Sequence, residues 1–272
     1  GLAPFYREDG AWGRRLLPLG ISVSDYHDVL LAPEEAPAAW EALLDLARRE
    51  PDWELWEFEE LMAGAAALAL PAPAGWDDDV ATQSACPTLT LEARDLASCV
   101  PKSKRRTLNL ARNRAARRDS VVWRQADASS VRAALDDLFR LHGSRWESRG
   151  EAGVLADDPV RRFHYDAAPA LQDAGLLRLY TLAFDGRVVA AYYGFQHRGR
   201  AYAYLTGFDP ACEFESPGAL VMAHAIEQAL REGARELHFL RGQEAYKYGW
   251  GAVDRWNRRR SLRRRGAQHA AA

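Results

Sequence analysis

The chain has 272 residues, of which 48% are hydrophobic, 27% charged and 10% aromatic. These proportions exclude a disordered or fibrous chain and indicate a globular protein of one large domain or two smaller ones. No apolar run approaches the ~20 residues that span a bilayer. The three cysteines are too few for a disulfide framework, so we expect a cytoplasmic protein. Because the chain starts at Gly1 without Met or a secretory signal, we allow for a further N-terminal segment.

Charge is distributed unevenly along the chain. The net charge is −2, yet residues 1–100 carry 6 basic and 19 acidic side chains. Lys102 to Arg118 holds eight cations and Arg255 to Arg265 holds seven. Such blocks bind nucleic acid, phosphate-bearing ligands or an acidic membrane surface, but they also occur as a solvated helix face or a flexible tail.

The first hundred residues show a strand, a polar loop, a helix and a strand. The predicted strands are Leu16 to Ser24 and Trp53 to Phe58, and the predicted helix is Ala38 to Arg49. Residues 71–87, rich in Pro, Ala and Asp, are predicted to be an irregular connection. An unrelated α/β extension is the alternative to the partial repeat described below.

A basic helix is predicted for residues 101–119, and regular elements continue from there. Ser120 to Ala126 is predicted to be a strand, and Ser129 to His142 and Pro159 to Asp173 are predicted helices. Three strands then follow at Leu176 to Phe184, Arg187 to Phe195 and Ala201 to Phe208. Asp185-Gly186 and Arg198-Gly199 are typical of tight hairpin turns, so these strands form an antiparallel meander.

The pattern changes at Ser216-Pro217-Gly218, which has the residues of a helix start. Apolar residues follow at helical spacing to Gly233, and Glu236 to Leu240 is a buried strand. A strand, helix and strand in this order form a crossover between parallel neighbours. A meander followed by one such crossover resembles the α/β GNAT (acyl-CoA N-acyltransferase) fold. We predict a partial N-terminal GNAT-like half over 1–100, a complete GNAT-like domain over 120–265, and a tail over 266–272.

The start of the predicted helix is the first candidate site. The first N–H groups of a helix lack internal partners and attract anions. In a GNAT fold this turn holds the pyrophosphate of coenzyme A, and Gly218 lets a ligand approach the backbone. Simple capping is the alternative, and the usual Arg/Gln-x-x-Gly-x-Gly/Ala signature is absent. The predicted cofactor-binding residues are Phe208, Ser216, Gly218, Ala219 and Lys247, with acetyl-CoA as the expected acyl-CoA.

A second motif, Leu240 to Trp250, follows the last predicted core strand, where ligands of α/β sheets gather. We predict that Tyr246 donates a proton to a leaving thiolate and that Glu244 or Asp209 acts as general base. Lys247 is predicted to contact phosphate or a carboxylate from the cleft wall opposite the N–H groups of 217–220. An aromatic cap over the core is the alternative reading, and we favour it for Tyr248 and Trp250.

A third candidate lies at the end of the first long helix. Arg145 and Glu147 are predicted to hold a polar acceptor above Trp146, and ordinary helix-end chemistry is an equal alternative. No H-x-x-H or H-E-x-x-H pair occurs, so we expect no metal site. The absence of a G-x-S-x-G or Walker sequence disfavours a hydrolase of that type and an NTPase.

These residues also resemble a particular family. Gly207-Phe-Asp209, Ser216-Pro-Gly218 and Phe239-Leu-Arg-Gly242, with Glu244 to Lys247, are similar to bacterial CelD-like cellulose-biosynthesis acetyltransferases, which are relatives of the FemAB peptidyltransferases. The resemblance extends to Arg145-Trp146 and to Leu19-Gly20 with Asp25-Tyr26, so it implies that Asp25 and Tyr26 also bind substrate. That family commonly has Asp where this chain has His238.

The resemblance implies transfer of an acyl group from acyl-CoA to an amine or hydroxyl. Saccharides of exopolysaccharide or cell-envelope assembly are the candidate acceptors. One alternative is aminoacyl transfer from charged tRNA, as in the FemAB relatives, with Lys102 to Arg118 binding the tRNA. Another alternative is a non-catalytic partner protein with a degenerate GNAT pair. The sequence leaves the acyl length, the acceptor and the oligomeric state open.

Overall fold

The computed structural model describes residues 1–10, 13–21, 23–50, 53–92, 95–147, 155 and 157–264, with the side chains of 144–147 outside the description. The chain divides into two compact units, a first unit of Gly1–Cys86 with Asp254–Ala272, and a second unit of Pro87–Val253. The strands are β1 (Phe5–Gly10), β2 (Gly13–Pro18), β3 (Leu55–Leu61), β4 (Trp76–Thr90), β5 (Val121–Gln125), β6 (Leu177–Phe184), β7 (Arg187–His197), β8 (Arg200–Phe208), β9 (Glu236–His238) and β10 (Val253–Arg264). The helices are α1 (Ala36–Arg49), α2 (Ala66–Ala69), α3 (Leu96–Cys99), α4 (Lys102–Ala115), α5 (Val131–Glu147), α6 (Asp158–Asp173), α7 (Pro217–Arg231) and α8 (Ala245–Gly249).

The first unit is built around an aromatic core. Its strands lie in the order β1-β2-β3-β10-β4, and α1 buries Trp40 against them. Trp40 stacks on Trp56 with ring centroids 5.7 Å apart, and Phe58 lies 4.8 Å from Trp56. β2 and β3 are parallel, as the predicted strand, helix and strand require. The same crossover therefore occurs in both units, which fits the predicted tandem.

The second unit contains the predicted meander. Its strands lie in the order β4-β9-β8-β7-β6-β5, with only residues 87–90 of β4 belonging to this unit. The hairpin turns have φ of 50° and 81° at Asp185 and Gly186, and of 47° and 73° at Arg198 and Gly199. Left-handed values at both central residues are what tight primed turns need, so the prediction of the two hairpins is confirmed.

The crossover through α7 determines where the sheet opens. β8 and β9 are parallel and pair over three residue pairs, from Arg200↔Glu236 to Tyr202↔His238. β8 then continues to Phe208, and a register shift opposite Tyr193 leaves Tyr204 as an extra residue in β8. Such a bulge bends its strand. The two strands therefore separate beyond their third pair, and a space opens at their carboxyl ends.

Two predictions about local structure are wrong. Residues 71–87 are not an irregular connection throughout, because β4 begins at Trp76 and pairs with β9 at its far end. The second basic block is neither a helix face nor a tail, since most of it forms β10. Its Arg260 is 2% exposed and donates to both oxygens of Asp78 at 2.9 Å. Charge complementarity inside the sheet explains both results, and it leaves no periodic signal in the sequence.

The basic helix is present as α4, and its buried face is apolar. Leu108, Ala111 and Ala115 are buried in the core that α7 shares. Across the described ranges, no helix combines the length and the apolar character needed to cross a membrane.

Candidate functional site

A cleft of about 490 Å³ lies where β8 and β9 separate. Its walls come from the end of β8, the start of α7, and α8 with the loop before it, all within the second unit. The lining residues are Lys104, Thr206, Phe208, Glu213, Ser216, Pro217, Gly218, Ala219, Met222, Glu244, Ala245, Tyr246 and Trp250. The two segments that the sequence places at this edge of the sheet therefore converge on one cavity.

The first wall is the start of α7. Ser216 occupies the N-cap position with left-handed φ and ψ of 53°, and its hydroxyl donates to the carbonyl of Glu213 instead of capping the helix. Ala219 and Leu220 donate their N–H groups to the Ser216 carbonyl at 3.0 and 3.1 Å, and Pro217 has no N–H. The expectation that the N–H groups of 217–220 all point into the cleft is therefore wrong, because two of them close the first helical turn.

Gly218 packs directly against an aromatic ring. A Cβ atom at this position would lie 2.8 Å from Cδ1 of Phe208, closer than real side chains approach one another. The absence of a side chain at Gly218 therefore lets the Phe208 ring pack against the helix start. The sequence assigned this glycine to ligand approach, whereas the structure shows that it also sets the position of one cleft wall.

The second wall carries the two predicted proton-transfer residues. Glu244 and Tyr246 both line the cleft, and the Tyr246 side chain is 43% exposed. The ring of Tyr246 meets that of Phe239 edge-on, with centroids 6.2 Å apart. A carboxylate and a phenol on one wall can accept and donate a proton respectively.

Lys247 lies elsewhere than expected. Its side chain is buried, and its ammonium donates to the carbonyls of Leu240, Arg241 and Gly242 at 3.1, 2.7 and 3.0 Å. It also lies 2.9 Å from a carboxylate oxygen of Glu244. With these partners the ammonium is directed into the loop before α8 and not onto the cleft wall. The expected contact of Lys247 with the ligand thus becomes a contact with the loop that presents Glu244.

That loop has an unusual backbone. Leu240 has a φ of 62° and Gly242 a φ of 102°, and left-handed values at a residue such as Leu cost free energy. A Cβ atom on Gly242 would lie 2.6 Å from a Glu244 carboxylate oxygen. The carboxylate therefore packs on the glycine backbone, and the Lys247 hydrogen bonds hold this conformation.

Two further residues singled out from the sequence, Asp209 and His238, do not line the cleft. Asp209 accepts from the N–H of Ala211 at 2.9 Å and lies 2.6 Å from the Arg187 guanidinium. These contacts occupy the carboxylate that the sequence offered as an alternative base. His238 is completely buried and lies 3.2 Å from a Glu236 carboxylate oxygen.

Sequence reasoning missed Lys104 as a cleft residue. Its ammonium stands 4.5 Å from the centre of the Trp250 ring, and burial lowers the pKa of this ammonium. Lys104 lies four residues before the buried Leu108, so a cation on the apolar side of α4 was the available signal. Trp250, which we interpreted as a core cap, is buried and also lines the cleft.

The predicted acceptor-binding residues belong to two other segments of the chain. Arg145, Trp146 and Glu147 have side chains outside the described residues, so their role stays a prediction. Asp25 and Tyr26 are half-buried in the first unit, where the Asp25 carbonyl accepts from the Asn257 side chain at 3.0 Å. Their substrate-binding role also stays a prediction.

Two other cavities are smaller. A groove of about 290 Å³ in the second unit has Trp123 stacked on His224 at 4.4 Å on its wall. A cavity of about 30 Å³ in the first unit lies beside His27 and Asp28, after β2. This cavity lies after the first strand of the β2–α1–β3 crossover, as the cleft lies after the first strand of the β8–α7–β9 crossover. It is too small for an acyl donor. In the part of the chain that is described, no cluster of three or more His, Cys, Asp or Glu is arranged to hold a metal.

Comparisons with known proteins show the family and the fold of this chain. A profile described as "Acetyltransferase (GNAT) domain" matches residues 102–248. A search of curated protein sequences returns no significant match. Among solved structures, FemX has a TM-score of 0.62 at 11% identity, covering 94% of this chain and 88% of its own. L-PGS from Bacillus licheniformis has a TM-score of 0.61 at 13% identity, covering 96% and 81%.

A third similar structure is the C-terminal domain (DUF2156) of a proposed lysylphosphatidylglycerol synthetase from Agrobacterium fabrum. Its TM-score is 0.60 at 14% identity, and the match covers 97% of this chain and 81% of that chain. At such identities the likeness shows a shared fold over nearly the whole length of the chain.

Proposed function

We propose that this chain, which belongs to the acetyltransferase (GNAT) domain family and is an acyltransferase, takes its acyl group from acyl-CoA bound in the cleft between α7 and α8. The observation that supports this proposal is the opening of the parallel pair β8 and β9 into a cleft of about 490 Å³, with Glu244 and Tyr246 on one wall and the start of α7 on the other. Ligands of α/β sheets bind at the carboxyl ends of such strands.

The residues present fit a coenzyme A thioester. The start of α7 carries the partial positive charge of a helix N-terminus, and its Ser216 side chain makes no cap. Phe208 and Met222 supply apolar surface in the same cleft. The start of α7 therefore suits the phosphate groups of coenzyme A, and the surface of Phe208 and Met222 suits its apolar portion.

The proposed reaction transfers one acyl group and involves two separate proton transfers. The acceptor amine or hydroxyl attacks the thioester carbonyl, and its proton passes to the Glu244 carboxylate. The carbon–sulfur bond breaks, and the Tyr246 hydroxyl donates a proton to the departing thiolate. Glu244 then loses a proton to solvent and Tyr246 gains one from solvent, which restores both groups. The Lys247 ammonium, 2.9 Å from Glu244, holds the carboxylate in place, so Lys247 acts as a positioning residue.

We propose an acetyl group and a saccharide acceptor of the cell envelope as the finer assignment. It rests on the resemblance of Ser216-Pro-Gly218 and Glu244 to Lys247 to the CelD-like acetyltransferases. Asp25, Tyr26 and the 145–147 segment are the proposed acceptor contacts.

A thermal-shift series with acetyl-CoA and longer acyl-CoAs tests the donor. Ligand at 100 times Kd stabilises the folded protein by about 2.7 kcal/mol, so a clear rise in Tm is expected. Release of coenzyme A thiol on addition of candidate saccharides then tests transfer. No shift with any acyl-CoA would remove this donor from consideration.

Aminoacyl transfer from tRNA is the second candidate, and a basic surface supports it. Arg106 and Arg117 are exposed on or just after α4, the helix that carries the cleft residue Lys104. If tRNA binds there, its affinity must fall steeply as salt rises, because phosphate contacts release counterions. A tRNA affinity that does not change with salt would exclude tRNA binding at this surface. An Arg106→Gln variant with the same salt dependence as the wild type would exclude it as well.

A further inference from the structure

Lys104 differs from Arg112 of α4, and from Arg118 just after α4, in what surrounds it. Arg112 lies 2.6 Å from Glu227, and Arg118 donates to Glu215 at 2.8 Å. Over the described residues, no carboxylate lies within ion-pair distance of the Lys104 ammonium, which faces the Trp250 ring instead.

This placement is unfavourable for a free cation. Lys104 is half-buried, and partial burial lowers the pKa of its ammonium because the charged form loses water. A cation–π contact offsets only part of that loss. Trp250 is 2% exposed and packs within the core. Because the core holds its ring in place, the cation–π contact keeps the Lys104 ammonium at the cleft.

The charges around the cleft show where an anion fits. Glu244 is neutralised locally by Lys247 at 2.9 Å, and Glu213 is exposed on the opposite side, before α7. Lys104 is therefore the cleft cation without a carboxylate partner in the described part of the chain. The start of α7 adds partial positive charge to the same cavity.

We propose that Lys104, supported by Trp250, binds the phosphate-bearing part of the donor and so selects an anionic donor over a neutral one. This inference rests on the proposed function, which places acyl-CoA in the cleft. It means that α4, and not the start of α7 alone, recognises the phosphate-bearing part of the donor.

The experiment measures affinity by calorimetry for coenzyme A, inorganic pyrophosphate and the neutral thioester S-acetylpantetheine. The variants are Lys104→Met, Lys104→Arg and Lys102→Met. Lys102 is the matched control, because it is an exposed lysine on the same helix that does not line the cleft. Folding of each variant is checked by its thermal midpoint without ligand.

We expect Lys104→Met to weaken coenzyme A and pyrophosphate about tenfold, the loss of roughly one charged contact. S-acetylpantetheine affinity should not change, Lys104→Arg should retain much of the binding, and Lys102→Met should match the wild type. Equal coenzyme A affinity in Lys104→Met and wild type would overturn the inference and leave the proposed function intact.

Two other outcomes separate the two proposals. Pyrophosphate binding that depends on Lys104, without coenzyme A binding, would support the anion site and overturn the acyl-CoA donor. A wild-type protein that binds neither ligand would overturn both.

Discussion

The ammonium of Lys247 lies 2.9 Å from the carboxylate of Glu244, three residues earlier in the chain. The same ammonium donates to three consecutive carbonyls, from Leu240 to Gly242. One buried cation therefore fixes both the backbone of the loop and the carboxylate that the loop presents to the cleft. The shape of this wall and the position of its carboxylate therefore depend on a residue that does not line the cavity.

Replacement of Lys247 should reduce stability and activity together. In Lys247→Met the stem is kept, but three carbonyls lose their donor, so the free energy of unfolding should fall by about 2–3 kcal/mol. Urea denaturation measures this change. Lys102→Met, at an exposed position, should stay within about 0.5 kcal/mol of the wild type. Equal stability of both variants would contradict the assigned role of Lys247.

Tyr246→Phe should slow turnover without weakening donor binding. The ring that meets Phe239 is kept and only the proton donor is lost, so kcat should fall by about 10²-fold at unchanged donor affinity. Steady-state kinetics together with calorimetry separate the two quantities. Tyr248→Phe, on the same helix but outside the cleft lining, should leave kcat unchanged. A wild-type kcat in Tyr246→Phe would remove the phenol from the mechanism.

Gly218→Ala should deform the cleft. The new Cβ would lie 2.8 Å from the Phe208 ring, and relief of that overlap should cost about 1–3 kcal/mol and weaken acyl-CoA binding. Gly143→Ala is the control, because a Cβ on Gly143, in α5, meets nothing within 4 Å. Unfolding and binding are measured for both. An alanine at 218 that binds the donor like the wild type would show that the Phe208 wall is unimportant.

Stability should fall as the pH drops from 7.5 to 5.5. Burial lowers the pKa of His164, whose Nδ1 has no hydrogen-bond partner among the described residues, and burial likewise lowers the pKa of His224. The unfolded chain therefore binds more protons below its histidine pKa near 6.5. Stability is fully present above that pH and is lost as the pH falls below it.

The His164→Phe variant checks this assignment. It removes one titrating group, so the difference in unfolding free energy between pH 7.5 and 5.5 should shrink. His197→Gln, at an exposed position at the end of β7, should keep the wild-type difference. If His164→Phe retains the full pH dependence, another group is responsible for it.

Local signals account for the parts of the fold that the sequence predicted well. Asp185-Gly186 and Arg198-Gly199 determine their turns through backbone preferences of the turn residues themselves. α7 carries apolar residues at helical spacing over its whole length. The cleft position followed from these elements, because the ends of parallel neighbours must meet at one edge of the sheet.

The remaining features depend on partners distant in the sequence. Asp77 to Asp79 disfavour a strand locally, yet β4 forms because Asp78 pairs with Arg260 from β10. The position of Lys247 in the sequence is compatible both with an ammonium that contacts the ligand and with one that binds the loop before α8. Only the left-handed backbone at Leu240 and Gly242 brings the carbonyls together around it.

The central claim is that acyl-CoA binds in the cleft, and calorimetric titration of acetyl-CoA into a cleft-filling variant tests it most directly. Ala219→Trp places an indole inside the cleft, whereas Ala116→Trp places one in the groove beside Trp123. We predict that wild type and Ala116→Trp bind acetyl-CoA with the same Kd, and that Ala219→Trp, folded by circular dichroism, weakens binding at least tenfold. Equal affinity in Ala219→Trp and wild type, or no binding by the wild type, would contradict the account.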